Sequence, residues 1–115
     1  MEKRKFMRFI APLKVEAINE DKPGNVGLMK DFSREGLSVI FDDFESKSKP
    51  YLGLKIQKPG EDKLVFAIGE VIWKKQVEEK WEVGLRLREI PADAKAEILE
   101  YGYLKWLRDK GEVRI

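Results

Sequence analysis

The chain has 115 residues, a length that allows one domain with a single modest core. Hydrophobic residues make up 43% of it, and the lack of cysteine excludes disulfides and thiol chemistry, as is typical of the cytoplasm. The 23 basic and 21 acidic residues leave a net charge of +2, which does not favour a general polyanion-binding protein. No apolar run has the length of a membrane span, and the basic N-terminus lacks the hydrophobic core of a signal peptide, so we expect a cytoplasmic protein without membrane insertion.

The chain divides into three parts. Residues 1–10 form a basic arm, in which four of residues 3–8 are Lys or Arg. Residues 11–90 predict a barrel of six short antiparallel strands, because apolar alternation is interrupted by turns rich in Pro, Gly and charged residues. The predicted strands are 13–17, 26–33, 37–41, 52–57, 64–73 and 81–88. No helical period appears before residue 90, which excludes a parallel α/β sheet.

The fifth predicted strand contains a change of phase. Its apolar residues stand at even positions up to Ile68 and at odd positions from Val71 onward. This change predicts a β-bulge near Gly69, which would bend the strand so that the sheet can close. For Trp73, which follows the bulge, packing in the core is favoured over stacking on a base.

Residues 91–115 predict one C-terminal helix and a short tail. Pro91 fits the first helical turn, and Arg108 suits the last. The apolar band of this helix is wider than one stripe requires. We favour a helix that lies across the barrel and buries most of the band. The alternative is that Tyr103 and Trp106 contact a target protein or a second copy in a homodimer.

The segment 31–36 joins the second and third predicted strands. Side chains alternate along a strand, so Asp31 and Ser33 lie on one face, as a carboxylate acceptor beside a hydroxyl group. Gly36 tolerates positive φ or lets a ligand approach the backbone closely. Taken alone, such a segment is an ordinary polar turn.

A second motif precedes it in the arm, where Arg4 and Arg8 have the spacing RxxxR. An RxxxR arm followed by DxSxxG on a small β-domain resembles the PilZ family, the receptor domains for the bacterial second messenger cyclic di-GMP. The segments 69–73 and 83–85 are also similar to the late strands of that family. The resemblance covers nearly the whole chain.

The resemblance implies a mainly β fold, a six-stranded antiparallel PilZ-type (split) β-barrel with one C-terminal helix packed on it. It also implies ligand contacts from both motifs, with cyclic di-GMP as ligand and no cofactor or metal. The implied contact residues are Arg4, Arg8, Asp31, Ser33 and Gly36, and the secondary candidates are Lys3, Lys5, Arg34 and Trp73. A basic residue at the position of Lys3 is typical of members that bind a stacked pair of ligands.

The chemistry of these residues suits that ligand. A guanidinium group can bind a phosphate, or the O6 and N7 acceptors of guanine, through two hydrogen bonds. Asp31 can accept hydrogen bonds from the N1 and N2 donors of guanine, and Ser33 can donate to a phosphate. We therefore expect the ligand to order the arm over the barrel, and this change to signal to an unidentified effector in motility, secretion or polysaccharide synthesis.

Other functions have less support in the sequence. An enzyme is not expected, because histidine and cysteine are absent and Ser33 has no visible activating base. Two alternatives remain open. One is a PilZ-like interaction module without ligand binding, and the other is a small barrel that stacks single-stranded nucleic acid on its aromatic residues.

Overall fold

The computed structural model describes residues 8–19, 22–44 and 50–109 of the chain. Within these residues, strands precede a single helix. The strands are β1 (Phe9–Ile10), β2 (Lys14–Asn19), β3 (Lys22–Phe32), β4 (Gly36–Phe41), β5 (Tyr51–Gln57), β6 (Leu64–Val77) and β7 (Lys80–Glu89), and the helix is α1 (Ala92–Asp109).

Strands β2 to β7 close into a six-stranded antiparallel barrel, as the sequence predicted. The hydrogen-bonded order runs β3, β2, β5, β6, β7 and β4, and pairing of β4 with β3 closes the ring. The short strand β1, formed by the end of the basic arm, adds to β3 with Phe9 opposite Phe32. Strand β3 begins at Lys22, earlier than expected, because its pairing with β2 continues past a register shift between Ala17 and Asn19.

The core fills the inside of this barrel. Its largest fully buried side chains include Phe32, Phe41 and Met29, and Ile98 of α1 packs against the same cluster. Complete burial of each such side chain stabilises the fold by about 1.5–3 kcal/mol. The alternation of apolar and polar residues along the strands is therefore the main source of stability for the barrel.

Strand β6 changes its register with β7 twice. A first shift lies at the predicted place, between Ile68 and Gly69, but its extra residue is Arg88 on β7, because Ile68 pairs with Glu89 and Gly69 with Leu87. A second shift lies between Val71 and Trp73. At the second shift Ile72 has no partner on β7, so the side chains that follow it change face. The expected packing of Trp73 in the core is therefore wrong, because this side chain points outward and is 39% exposed.

The first half of β6 presents its larger apolar residues to the outside. Val65 and Ala67 are buried in the barrel, whereas Phe66 and Ile68 are exposed on the outer face. The diameter of a barrel grows with its number of strands, so a six-stranded barrel has a narrow interior. The smaller side chains of β6 therefore fill the core.

Helix α1 packs against β1 and β3. Its buried residues, Ala94, Ile98 and Gly102, recur every four positions and form one stripe. Tyr103 and Leu104 remain exposed. The helix therefore packs on the barrel as predicted, but it buries a narrower part of the apolar band than expected.

An aromatic cluster joins α1 to β1. The ring of Phe9 lies edge-on to Tyr103 and Trp106, with centroid distances of 5.9 and 6.5 Å. Gly102 permits this approach, because a Cβ at that position would lie 2.6 Å from the Cβ of Phe9. Phe9, which directly follows Arg8 in the chain, thus packs against the helix.

The β6–β7 hairpin supplies a prediction about stability. Its two turn residues, Glu78 and Glu79, have φ angles of 50° and 69°, a conformation that favours Asn and Gly. We expect the double variant Glu78→Asn/Glu79→Gly to raise the free energy of unfolding by about 1 kcal/mol, because it removes strain from both positions. Urea denaturation measures the change.

The matched control is Glu61→Asn/Asp62→Asn, which removes the same two charges from neighbouring loop residues that do not have a positive φ. We expect this variant to leave the free energy of unfolding within about 0.5 kcal/mol of the wild type. An equal gain in the control would attribute the effect to charge and contradict the strain argument.

Candidate ligand-binding site

The two motifs meet at the outer end of β3. The guanidinium group of Arg8 contacts Asp31 through two nitrogens, with Nη2 at 2.9 Å and Nε at 3.0 Å from Oδ1. The two side chains are 21% and 19% exposed. An ion pair of this kind combines charge with hydrogen bonds and fixes the orientation of the guanidinium plane. The structure therefore brings Arg8 of the first motif and Asp31 of the second together.

Ser33 organises the turn between β3 and β4. Its Oγ accepts hydrogen bonds from the backbone N–H groups of Gly36 and Glu35, at 3.2 and 3.3 Å, and donates to the carbonyl of Gly36 at 3.3 Å. The side chain is buried, and the Ser33 N–H also donates to the Gly36 carbonyl at 2.8 Å. A serine hydroxyl commonly closes turns in this way. Within this structure Ser33 stabilises the turn that carries the motif.

Gly36 is required for packing between strands. A Cβ on this residue would lie 2.2 Å from the carbonyl oxygen of Leu85 on β7. Its φ angle is not positive, so of the two roles considered for this glycine the left-handed conformation does not apply and close approach is the reason for glycine. The backbone that it approaches is that of the neighbouring strand.

One row of residues crosses four strands on the outer face of the barrel. Asp31 lies opposite Ser38 on β4, Ser38 opposite Gly84 on β7, and Gly84 opposite Trp73 on β6. The indole ring covers Gly84, since a Cβ there would lie 2.3 Å from Trp73 Nε1. The register therefore places Trp73 on the same row as Asp31.

Ser38 is a residue of this row that sequence reasoning missed. It is 2% exposed, and its Oγ has no hydrogen-bond partner among the residues that the structure describes. A buried hydroxyl without a partner costs free energy and calls for an explanation. No local motif marks it, because its neighbours in the row come from distant parts of the chain.

The remaining site candidates are placed as follows. Arg34 is exposed in the turn between β3 and β4. Two arginines of β7 also lie in this region: Arg86 is exposed opposite Gly36, and Arg88 forms an ion pair with Glu70. The predicted contacts Lys3, Arg4 and Lys5 lie outside the described residues.

A buried carboxylate lies beside the row. Glu82 forms two ion pairs: Lys30 Nζ lies 2.7 Å from its Oε1, and Lys75 Nζ lies 3.2 Å from its Oε2. The same Lys75 Nζ lies 5.6 Å from the centroid of the Trp73 ring. Sequence alternation assigned Glu82 to the outer face, which is correct, but the lysines and neighbouring strands bury it. The hydrogen bond from Lys30 is the main cause of a lowered pKa of Glu82, and Lys75 contributes further.

This lowered pKa predicts a dependence of stability on pH. The ordinary pKa of a glutamate is 4.5, and the folded state holds Glu82 below that value. The resulting stabilisation is complete above pH 4.5 and is lost as pH falls through the folded-state pKa. We expect Glu82→Gln to lower the free energy of unfolding by about 1–2 kcal/mol at neutral pH and by much less in acid. Urea denaturation across the acid range measures the difference in free energy of unfolding between the wild type and Glu82→Gln.

Glu97→Gln provides a control, because this carboxylate is much more exposed on α1. Its free energy of unfolding should remain close to that of the wild type across the same range. The proposed role of the charge would be contradicted if the difference in free energy of unfolding between wild type and Glu82→Gln stayed constant from neutral to acid pH.

Comparison with known proteins supports one family. The PilZ domain model matches residues 2–103. Among solved structures, the chain is similar to the Bacillus subtilis inhibitor of motility MotI/DgrA, with a TM-score of 0.77 and 23% identity over 96% of this chain and 54% of that one. It is also similar to the PilZ domain of Escherichia coli YcgR with c-di-GMP, with a TM-score of 0.70 and 11% identity over 97% of this chain and 100% of that domain.

A third similar structure is the complex of MrkH from K. pneumonia with c-di-GMP, with a TM-score of 0.63 and 13% identity over 98% of this chain. The present chain spans 54% of the MotI chain and 57% of the MrkH chain. No curated protein matches the sequence. At these identities the similar structures establish the fold.

The chain belongs to the PilZ domain family, a family of cyclic di-GMP receptor domains. Its barrel and its C-terminal helix agree with the fold that the resemblance implied. In the part of the chain that the structure describes, no helix has both the length and the apolar character needed to cross a membrane.

Proposed function

We propose that this protein binds cyclic di-GMP at the outer end of β3 and β4 and passes the signal to another protein. The observation that carries the proposal is the ion pair between Arg8 and Asp31, which joins the RxxxR arm to the DxSxxG turn. Both groups have the chemistry to bind a guanine base or a phosphate. The proposed contacts are Arg4, Arg8, Asp31, Ser33 and Gly36, with Lys3, Lys5, Arg34 and Trp73 as secondary contacts.

Ligand binding would exchange partners at this ion pair. A phosphate or guanine edge can take the guanidinium group of Arg8, and the N1 and N2 donors of guanine can occupy Asp31. Each group then keeps a charged or polar partner, so the exchange does not leave an unpaired charge. Trp73, on the same row of the barrel, offers an exposed indole for a base to stack on.

The arm supplies the proposed signal. Arg8 is followed directly by Phe9, which packs against Tyr103 and Trp106 of α1. A ligand that takes Arg8 from Asp31 would therefore act on a segment attached to the helix. We infer that binding orders the arm and changes a surface that an effector protein recognises. Equal protease sensitivity of the arm with and without cyclic di-GMP would contradict this step.

Calorimetric titration of cyclic di-GMP into the protein tests the proposal, with GMP as a control ligand. We expect saturable binding of cyclic di-GMP, and the fitted stoichiometry distinguishes one ligand from a stacked pair. The variant Asp31→Ala should lose most of the heat of cyclic di-GMP binding. The matched control is Asp42→Ala, an exposed acid on the loop after β4, which should bind as the wild type does.

Two results would contradict the proposal. Absence of heat and of thermal stabilisation at saturating cyclic di-GMP would favour the alternative of an interaction module without ligand binding. Equal binding of cyclic di-GMP and a single-stranded oligonucleotide would favour a nucleic-acid-binding barrel, in which Trp73 and Trp81 would stack bases. The proposed lack of enzymatic activity predicts that cyclic di-GMP is recovered unchanged after incubation with the protein.

A further inference from the structure

Ser38 carries a buried hydroxyl group on the outer face of β4. Its neighbours in the chain, Leu37 and Val39, are completely buried in the core, so the alternation of the strand directs Ser38 outward. Even so, Ser38 is only 2% exposed, and its Oγ has no hydrogen-bond partner among the residues that the structure describes. The hydroxyl group has therefore lost its contact with water without gaining a partner in the described part of the chain.

The barrel does not require a polar side chain at this position. Ile40, the next outward residue of β4, is apolar and half-buried on the same face. A buried hydroxyl group without a partner costs free energy, and an alanine at the position of Ser38 would avoid this cost. Residues that break a rule of packing in this way often belong to a functional site.

A bulge in β3 brings the carboxylate of Asp31 beside Ser38. Asp31 lies opposite Ser38, and Lys30 is an extra residue with respect to β4. Met29 points into the core, whereas Asp31, two positions later, points outward, because the extra residue exchanges the faces of the strand. The Cβ atoms of such a cross-strand pair are about 4.5–5.5 Å apart. The carboxylate and the hydroxyl group can therefore contact the same base.

The indole ring of Trp73 lies on the other side of Ser38 in the same row. Gly84 is the partner of Ser38 on β7, and the ring covers this glycine. The carboxylate of Asp31, the hydroxyl group and the ring thus occupy three successive strands, which are about 4.7–4.9 Å apart. A guanine that stacks on the ring with its edge at Asp31 would therefore lie over Ser38.

Guanine presents a hydrogen-bond acceptor at this point. Its O6 atom lies next to N1 on the same edge of the base, and N1 is one of the two donors that suit Asp31. We propose that Ser38 is a further contact residue of the cyclic di-GMP site, and that its hydroxyl group donates a hydrogen bond to guanine O6. Ser38 then belongs to the proposed function, on which this assignment rests, although it lies outside both sequence motifs.

The exchange of partners at the ion pair gives the base access to Ser38. Arg8 and Asp31 pair directly beside Ser38 on the neighbouring strand. A ligand that takes Arg8 from Asp31 opens this side of the row to the base. The hydrogen bond of Ser38 then replaces no bond within the described part of the protein, so its full contribution goes to affinity and none of it to folding.

Two measurements on Ser38→Ala test the proposal, calorimetric titration with cyclic di-GMP and thermal unfolding without it. We expect the affinity to fall about 5- to 20-fold, because a hydrogen bond to the base is lost. The Tm should equal or exceed that of the wild type, because the variant removes a buried hydroxyl group that has no partner in the described residues. The matched control is Tyr51→Phe, which removes an exposed hydroxyl group from β5, a strand without proposed contacts, and should bind with the wild-type affinity.

Wild-type affinity in Ser38→Ala would overturn the role of Ser38 and leave the proposed function intact. A Tm of Ser38→Ala several degrees below that of the wild type would also overturn it, because the hydroxyl group would then stabilise the fold, for example through a buried water. Absence of heat in the wild type would overturn the proposed function and the role of Ser38 together. The failure of the Ser38 assignment and the failure of cyclic di-GMP binding are therefore distinguishable.

Discussion

Replacing Gly36 by alanine is expected to destabilise the barrel by about 3 kcal/mol or more. The added Cβ would lie 2.2 Å from the carbonyl oxygen of Leu85, a backbone atom that cannot move away as a side chain can. The pairing of β4 with β7 would have to open at this point, next to the hydrogen bond of 2.7 Å from the Leu87 N–H to the Glu35 carbonyl. We expect the Tm to fall by roughly 10 °C or more, as measured by thermal unfolding.

Gly53→Ala is the matched control for this prediction, because it adds the same methyl group to a strand glycine with room for it. Its Tm should equal or exceed that of the wild type, since alanine is favoured over glycine inside a strand. If Gly36→Ala unfolded at the wild-type temperature yet lost cyclic di-GMP binding, the glycine of this motif would serve the ligand rather than the fold. The prediction thus separates the two roles of the DxSxxG turn.

The largest expected effect on binding is that of Arg8→Ala. We expect the affinity for cyclic di-GMP to fall by about 10- to 100-fold, because a bidentate arginine contact with guanine or phosphate is lost. Arg8→Lys should recover only a small part of this loss, because an ammonium group has the charge without the planar fork. Calorimetric titration at two salt concentrations measures the affinity, which should weaken with salt in the wild type.

Stability provides the internal check on this variant. The Arg8–Asp31 pair is about one-fifth exposed, and such pairs contribute only about 1 kcal/mol or less to folding. Arg8→Ala should therefore remain folded while it loses affinity. The control is Arg108→Ala, an exposed arginine in the last turn of α1, which should bind with the wild-type affinity. Wild-type binding by Arg8→Ala would contradict the assigned site.

Much of the barrel could be predicted from local patterns. The alternation in β5, for instance, puts Leu54 and Ile56 in the core and Lys55 outside, and the structure has that arrangement. This information lies in residues close together in the chain. The register shift near Gly69 was predicted at the right place but in the wrong strand, because its extra residue is Arg88 of β7 and the apolar residues Phe66 and Ile68 of β6 point outward.

The faces of β6 could not be predicted in the same way. Ile72 is an extra residue with respect to β7, and it turns Trp73 outward. A slip of one residue exchanges the two faces of a strand, so a single bulge reverses every assignment that follows it. Phe66 was equally ambiguous, because only the narrow interior of the closed barrel decides that Val65 and Ala67 fill the core.

The sequence by itself determined the class of fold, the family and the two motifs, because strand alternation and motif spacing are properties of neighbouring residues. Tertiary structure alone decided how the residues of those motifs are arranged. It pairs Arg8 with Asp31, directs the Ser33 hydroxyl into its own turn, and sets Trp73 on the row of Asp31. These relations depend on the register between strands that are distant in the chain, and register is fixed by closure of the whole barrel.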